Sequence, residues 1–371
     1  SNCNCEYGSR YVVFEASSPV AKLPHATARC CINQHMSGTI QVVDLQWVGT
    51  TRESELLQAW DEAFKTSGFL LLKGHGMQSL FEDMEREVRD FFCCQPHDEK
   101  MKFSLGRGYG FGGYVQQGIL AVARGSEIHK ARPPDAVETL ESLTQGCTVL
   151  PGVDNGYASN ALRDQASHLY AQLQEVLVKT CMELSAKSLQ MSTDFFESAG
   201  GWGKNYRESF GRLRFTRYLP SIQDEQLQYG EHTDTSMFTF IWRSQRNGLQ
   251  CRDPSDYSKW IEVDWDPDLL VVNAGDTASL LTNGRWRSNV HRVIGPNADA
   301  LRHSSPITIA YFAQPSDDTL LRRLPSPSVP QCARYDSDFV VPSEDVTAKG
   351  YRQWKVGNMK MGRKRKLESA L

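Results

Sequence analysis

Three residues carry the sharpest chemistry in the sequence: His232, Asp234 and His291. His232 and Asp234 stand two apart, just before an apolar run over 236–242. In extended chain, residues i and i+2 point to one face, so an imidazole and a carboxylate converge there. His291 lies in a second apolar stretch that a closed β-structure can bring alongside. Two imidazoles and one carboxylate on one side of a divalent iron leave the opposite positions open for a co-substrate and O2. The plainer reading of the same residues is two satisfied core histidines and a surface aspartate. The three positions alone do not decide between the two.

The elements that would position such a site can be read from periodicity. Ile40 to Leu45 reads as a first strand. Thr50 and Glu53 form a capping box ahead of a helix whose inner face is Leu56, Leu57, Trp60, Ala63 and Phe64, and Gly68 ends it. Phe69 to Leu72 is a buried strand closed by Gly74-His75-Gly76. A second capping box, Ser79 and Glu82, opens a helix marked by Phe81, Met84, Val88 and Phe91. The Gly- and Tyr-rich stretch 104–125 lacks the Gly-Lys-Ser/Thr of a phosphate loop and reads as a loop lining a pocket. A long helix is expected from Asn160 to Gln190.

The second half changes character. Gly211–Leu219, Met237–Trp242, Leu269–Val272, Ala278–Leu281, Val290–Ile294 and Ile307–Phe312 all read as strands, with Asn283-Gly284 as a hairpin turn between two of them. Many short strands with turns between them give a mainly β fold with flanking helices, a sandwich or jelly roll.

Composition sets the outer bounds. The 371 residues hold 41 Lys+Arg against 44 Asp+Glu, a net charge of −3 that argues against a nucleic-acid binder. A hydrophobic fraction of 40% suffices for a sizeable core. No apolar run reaches the ~18 residues of a membrane span. Ten cysteines without a CxxC pair read as reduced thiols in a cytoplasmic protein. The sequence starts at Ser1, which leaves open an earlier targeting segment that has been cut away. The short basic run Arg363 to Lys366 reads as solvated surface.

Motifs around the three site residues add a resemblance. His232-Thr233-Asp234, Gly248-Leu249-Gln250, Val271-Val272-Asn273 with Gly275-Asp276, and Asn283-Gly284-Arg285 through Ser288 to His291-Arg292-Val293 follow one another in that order. Upstream stand Gly68-Phe69, Gly74-His75-Gly76, Phe91-Phe92 and Glu99-Lys100. In these the chain resembles the isopenicillin N synthase-like branch of the Fe(II)/2-oxoglutarate-dependent dioxygenases, over roughly residues 40–315. The resemblance implies a double-stranded β-helix (jelly-roll) core. It divides the chain into an irregular segment 1–38, an N-terminal region with helices 39–200, a jelly-roll core 201–320, and a C-terminal segment with basic tail 321–371.

The resemblance further implies that His232, Asp234 and His291 bind Fe(II). 2-Oxoglutarate then chelates the iron and O2 takes the last position, with ascorbate as an optional addition. Decarboxylation to succinate yields a ferryl oxidant that attacks a C–H bond, so hydroxylation, desaturation or oxidative cyclisation can follow. The distal carboxylate of 2-oxoglutarate needs a forked cation, and the family's R-x-S pair falls on Arg302 and Ser304. One departure stands out. Aligned on Tyr311-Phe312 instead, the Arg position is Pro306 and the Ser position is Thr308. Arg217-Tyr218-Leu219-Pro220 matches the family's Asn-Tyr-Tyr-Pro strand, with Arg217 at the Asn position, facing the pocket or a surface ion pair.

Substrate contacts are expected from Tyr109, Tyr114, Arg124, Phe238 and Trp242. The arginines suggest a carboxylated small molecule, with no nucleic acid or membrane as partner. Ring closure on a prenylated glutamate, thymine-type hydroxylation and secondary-metabolite hydroxylation all remain open. Two alternatives stand beside this: an Fe(II) oxidase of the isopenicillin N synthase type that does without 2-oxoglutarate, and a metal-free binding scaffold.

Overall fold

An apolar run without alternation is satisfied only by burial on both faces. Phe69, Leu70, Leu71 and Leu72 meet that condition within one strand of a computed structural model. The structure describes residues 40–104, 113–120, 133–143, 160–198, 211–220, 227–295, 305–335 and 346–361.

Twelve strands are formed there: β1 Gln41–Asp44, β2 Phe69–Lys73, β3 Gly113–Val115, β4 Val137–Leu143, β5 Arg212–Tyr218, β6 Tyr229–His232, β7 Phe238–Arg243, β8 Leu249–Arg252, β9 Trp260–Glu262, β10 Leu270–Ala274, β11 His291–Val293 and β12 Ile307–Ala313. Eight make one sheet in the order β1-β2-β10-β7-β12-β5-β4-β3, and four make a second in the order β6-β11-β8-β9. Among these strands only β1 and β2 pair in parallel. The long antiparallel strands with crossed-over order form a jelly roll. Strands on both sides of residue 200 share the larger sheet.

Helices cover the outer face of that sheet. α1 (Glu53–Thr66) and α2 (Gln78–Cys94) bury Leu56, Trp60, Ala63 and Phe64, and Phe81, Met84, Val88, Phe91 and Phe92. α3 (His97–Met101) is short, and α4 (Asn160–Gln172) runs through a π-helical turn, Leu173–Val178, into α5 (Lys179–Ser188). α6 (Phe195–Ser198), α7 (Asp276–Leu281) and α8 (Ala348–Met361) complete the α-helices among the described residues, and a 3-10 turn covers Leu45–Trp47.

Two apolar clusters result. One joins Phe238, Phe240, Trp242, Leu213, Phe215 and Tyr311 to the helices. The other joins Ile241, Ala310, Phe312, Tyr218, Leu249 and Val293 between the sheets. Strand alternation therefore assigns a face to every residue of β5, β7 and β12.

Several sequence expectations are corrected. Ala278–Leu281 is not a strand but lies in α7. A four-residue apolar run has no readable period, and Ala and Leu are good helix formers. Asn283-Gly284 accordingly ends a helix instead of turning a hairpin. Asn283 and Gly284 sit at φ 51° and 77°, and Gly284 N–H donates to the Ser279 carbonyl at 2.8 Å. Neither capping box forms. Arg52 precedes α1, with Thr50 Oγ1 accepting from Arg52 N–H, and Ser79 lies inside the first turn of α2.

Gly68 does end α1, at φ +73°, and a side chain there would strike the Arg287 carbonyl.

Candidate metal centre and its pocket

The two histidines meet because β6 and β11 pair antiparallel with His232 directly opposite His291. Their rings lie 4.2 Å apart, centroid to centroid. Asp234, just past β6, puts Oδ1 at 3.6 Å from His232 Nε2 and Oδ2 at 3.7 Å from His291 Nε2. One ligand atom from each residue falls within 4.8 Å of the others.

Neighbours fix the orientation of each group. His232 Nδ1 lies 2.7 Å from the Gly230 carbonyl and His291 Nδ1 3.2 Å from the Asn289 carbonyl. A ring nitrogen facing a carbonyl carries the proton, so each Nε2 keeps its lone pair for a metal. Asp234 Oδ2 accepts from Thr239 Oγ1 at 2.7 Å and Asn273 Nδ2 at 2.9 Å. Burial opposes ionisation of Asp234, but the two imidazoles and the Asn273 amide hold it well below the usual carboxylate range. Burial, then the neighbouring His232 ring, lowers His291 to about 4, leaving a neutral imidazole at pH 7.

The donor set is borderline nitrogen and hard oxygen, which suits divalent iron. Cys251 faces His291 across the β8–β11 pair. Burial pushes its thiol up to about 12, so it offers no thiolate.

The loops that carry the other motifs act as struts. The backbone N–H of Asp276 donates to the Asp234 carbonyl at 2.7 Å, and Gly275 N–H to the Met237 carbonyl at 3.0 Å. Ahead of His291, Arg285 makes a forked pair with Asp61 of α1, at 2.9 and 2.7 Å. Asn289 Nδ2 donates to both the Ser67 and Arg252 carbonyls at 2.8 Å.

A pocket opens from the three residues into the jelly roll. Arg214, Thr216 and Tyr218 line it from β5, Thr239 and Ile241 from β7, and Thr308, Ala310 and Phe312 from β12. Asn247, Leu249, Val293 and Tyr229 complete the wall.

Tyr218 thus lies where sequence reasoning expected a co-substrate contact, but Arg217 does not. It sits one residue out of phase, on the opposite face, and donates to Glu138 at 2.9 Å and to the Phe92 carbonyl at 3.2 Å. A one-residue slip of register turns a strand residue to the other side. Thr216 and Tyr218 take the inward positions.

Three substrate candidates also face away. Tyr114 donates to Glu138 at 2.6 Å. Glu138 also binds Lys100 at 3.0 Å, so the three donors form a buried brace on the outer face. Phe238 packs among Trp60, Phe64 and Trp286. Trp242 stacks on Phe81 and donates to Gln78 at 3.2 Å. Tyr109, Arg124, Arg302 and Ser304 lie outside the described residues.

Sequence reasoning missed Arg214, Thr216, Thr239 and Asn247, and reached Thr308 only through the alternative alignment on Tyr311-Phe312. The signal was available: polar residues at alternate positions in otherwise apolar strands mark an inward polar face. Arg214 is 4% exposed, donates to Glu141 Oε2 at 2.7 Å and to Tyr229 Oη at 2.7 Å. Arg212 holds the other oxygen of Glu141 at 2.9 Å. Burial works against ionisation of Glu141, and the two guanidiniums overcome it, holding its pKa below the usual value. Among the described residues, two guanidiniums thus flank one carboxylate on this wall.

Comparison with known proteins agrees with the geometry. Residues 208–315 match the 2OG-Fe(II) oxygenase superfamily, and residues 40–146 match the N-terminal region described as non-haem dioxygenase in morphine synthesis. Homoarginine-6-hydroxylase 2-ODD-C23.1 of Arabidopsis thaliana is 26% identical over 288 residues, 73% of this chain and 80% of that protein. A 2-oxoglutarate-dependent dioxygenase of Didymella fabae is 26% identical, covering 71% of this chain and 80% of its own. A full-length Neurospora crassa protein, solved in complex with alpha-KG, superposes with a TM-score of 0.68 at 22% identity, covering 87% of this chain and 98% of that one.

Proposed function

We propose a small, carboxylated molecule as the substrate of this chain, which belongs to the 2OG-Fe(II) oxygenase superfamily. The protein is an Fe(II)- and 2-oxoglutarate-dependent dioxygenase that oxidises a small molecule. His232, Asp234 and His291 are the residues proposed to hold the iron. The observation that carries this assignment is the convergence of their three ligand atoms within 4.8 Å at the mouth of the pocket.

Bound iron and 2-oxoglutarate supply the O2-dependent attack on a C–H bond, with succinate and CO2 as co-products. The chain's own residues do the rest. The Gly230 and Asn289 carbonyls keep both imidazoles in the metal-binding tautomer. Thr239 and Asn273 aim the Asp234 carboxylate. Ile241, Leu249, Val293, Ala310 and Phe312 keep water from the reacting centre. The Arg214 guanidinium, which lines the pocket wall, supports an anionic substrate group.

Among the described residues no helix is long and apolar enough to cross a membrane. The reducing cytoplasm is the proposed compartment, a reading that rests on the cysteine usage of the sequence.

The test is the His291→Ala variant. It is expected to lose Fe(II)-dependent succinate release while keeping the wild-type circular dichroism spectrum. Succinate release at the wild-type rate would remove His291 from the site. A screen of carboxylated against neutral small molecules then reads the substrate class, and stimulation by neutral compounds alone would reject the anionic substrate.

A further inference from the structure

We propose that Arg243, on β7, supplies the cation that holds the distal carboxylate of 2-oxoglutarate, an inference that rests on the dioxygenase reading above. The need for a cation follows from the chemistry. A dicarboxylate that chelates a metal by one end brings a second full charge into the jelly roll, and a buried charge must be paired.

The described part of β12 provides no such partner. Ile307–Ala313 contains no basic residue, and the next inward position before Thr308 is Pro306. Arg217 is turned to the outer face. Arg214 lines the pocket from β5 and is the cation assigned above to the substrate's own anionic group.

Arg243 stands directly opposite Thr308 in the β7–β12 register. Opposed residues of antiparallel strands share a face, so Arg243 lies on the pocket side with Thr239 and Ile241. It is four residues from Thr239, which holds Asp234; that is roughly 13 Å along the strand, toward the end away from the metal ligands. Its side chain is 4% exposed. Of the five N–H donors of a guanidinium, one Nη1 proton goes to the Val263 carbonyl at 3.0 Å and one Nη2 proton to the Asp264 carbonyl. Among the described residues no carboxylate lies within ion-pair distance of it. Burial lowers its pKa to about 10, so it keeps its charge at neutral pH.

The groups around it are those a carboxylate requires. Tyr218, Thr308 and Asn247 line the pocket together, and the Tyr218 hydroxyl feels the charge of Arg243. Asn247 Nδ2 donates to Thr308 Oγ1 at 3.2 Å. Tyr218 and Thr308 thus bring two hydroxyls to the pocket wall, with the Arg243 guanidinium on the same sheet face directly across from Thr308. Among the described residues the one acid lining the pocket is Asp234, which belongs to the metal-binding end. A ligand with a metal-chelating end and an anionic end fits this polarity in one direction only.

The cation has in effect moved one strand over, from β12 to β7. That accounts for the Pro306 departure without calling on Arg302.

The test is an anaerobic titration of the Fe(II)-loaded protein, following the visible charge-transfer band of the chelate. 2-Oxoglutarate is compared with 2-oxovalerate, which has the same chelating end and no distal carboxylate. Arg243→Met is expected to raise the Kd for 2-oxoglutarate by about 30-fold, the scale of a lost charge-assisted hydrogen bond. The Kd for 2-oxovalerate stays within about twofold, because that ligand has no group for the guanidinium to hold. Arg302→Met is expected to change neither. Unchanged 2-oxoglutarate binding by Arg243→Met, or the loss appearing in Arg302→Met instead, would overturn the proposal. If Arg243→Met also loses 2-oxovalerate binding, Arg243→Lys decides. A single ammonium lacks the fork, so weaker 2-oxoglutarate binding with 2-oxovalerate unchanged supports the proposal, and unchanged binding of both overturns it. Absence of the band in the wild-type protein with iron bound would overturn the dioxygenase reading itself, and the proposal with it.

Discussion

Lys355 of the C-terminal helix bonds directly to Thr233, the residue between His232 and Asp234. Its Nζ donates to the Thr233 carbonyl at 3.0 Å and to the Thr233 hydroxyl at 2.6 Å. The same ammonium pairs with Asp276, a carboxylate 1% exposed that also accepts from Ser288 and Tyr351. Asp276 in turn donates its backbone N–H to the Asp234 carbonyl. A segment more than a hundred residues downstream therefore fixes the backbone of the metal-binding loop from two sides.

Replacing Lys355 with Met is expected to weaken Fe(II) binding by about tenfold, the usual scale for outer partners of metal ligands. It also leaves Asp276 buried with less compensation, so the melting temperature falls by several degrees. Adding Asp276→Asn to the same chain recovers part of that loss, because the uncompensated charge goes with it. Iron titration and thermal melts check both; a variant with wild-type affinity would show that the C-terminal helix is a bystander to the site.

Gly275 is required by close approach, not by an unusual φ. A Cβ there would lie 2.9 Å from the Asp234 carbonyl oxygen and nearer still to that of Ser236. Both obstacles are backbone and cannot swing away. Gly275→Ala is expected to cost about 1–3 kcal/mol as overpacking and to push the loop carrying Asp234. Fe(II) affinity and melting temperature should fall together. Retention of both at wild-type values would mean that the loop yields more easily than its hydrogen bonds imply.

How far the sequence discloses this site depends on what each residue's position depends on. The metal-binding candidates are legible because two-residue spacing has one geometric meaning in a strand. Which face each strand buries is a harder matter. Phe238 and Trp242 look like substrate contacts because they are large and aromatic, yet the helices claim them. Thr239 and Arg243, which look like surface residues, face inward. A strand's polarity is set by what packs on each side, and one step of register exchanges the faces, as Arg217 and Tyr218 show. Ala278–Leu281 was ambiguous for lack of length. The Arg214–Glu141 pair spans 73 residues, and no local pattern could announce it.

That pair yields the prediction most specific to this chain. Arg214 lies on the pocket wall between the Glu141 carboxylate and the Tyr229 hydroxyl, with Phe312 4.8 Å beneath its guanidinium. Glu141 also binds Arg212, so removing Arg214 leaves the glutamate paired and the fold braced, while the wall loses a guanidinium. Arg214→Met is therefore expected to raise the KM for a carboxylated substrate by about 10- to 100-fold, the worth of a charged hydrogen bond. 2-Oxoglutarate affinity should stay within about twofold, because its proposed anchor is Arg243. Succinate release without substrate should persist, since that uncoupled reaction needs iron and 2-oxoglutarate alone. Arg214→Lys should recover little, because a single ammonium cannot hold Glu141 and an incoming carboxylate in the same fork. Glu141→Gln acts in the opposite sense. It removes the carboxylate that binds both guanidiniums, and the KM for an anionic substrate should fall while that for a neutral analogue does not. Steady-state kinetics on the four proteins separates these outcomes. If Arg214→Met raises the KM for carboxylated and neutral substrates equally, the residue shapes the pocket without reading charge.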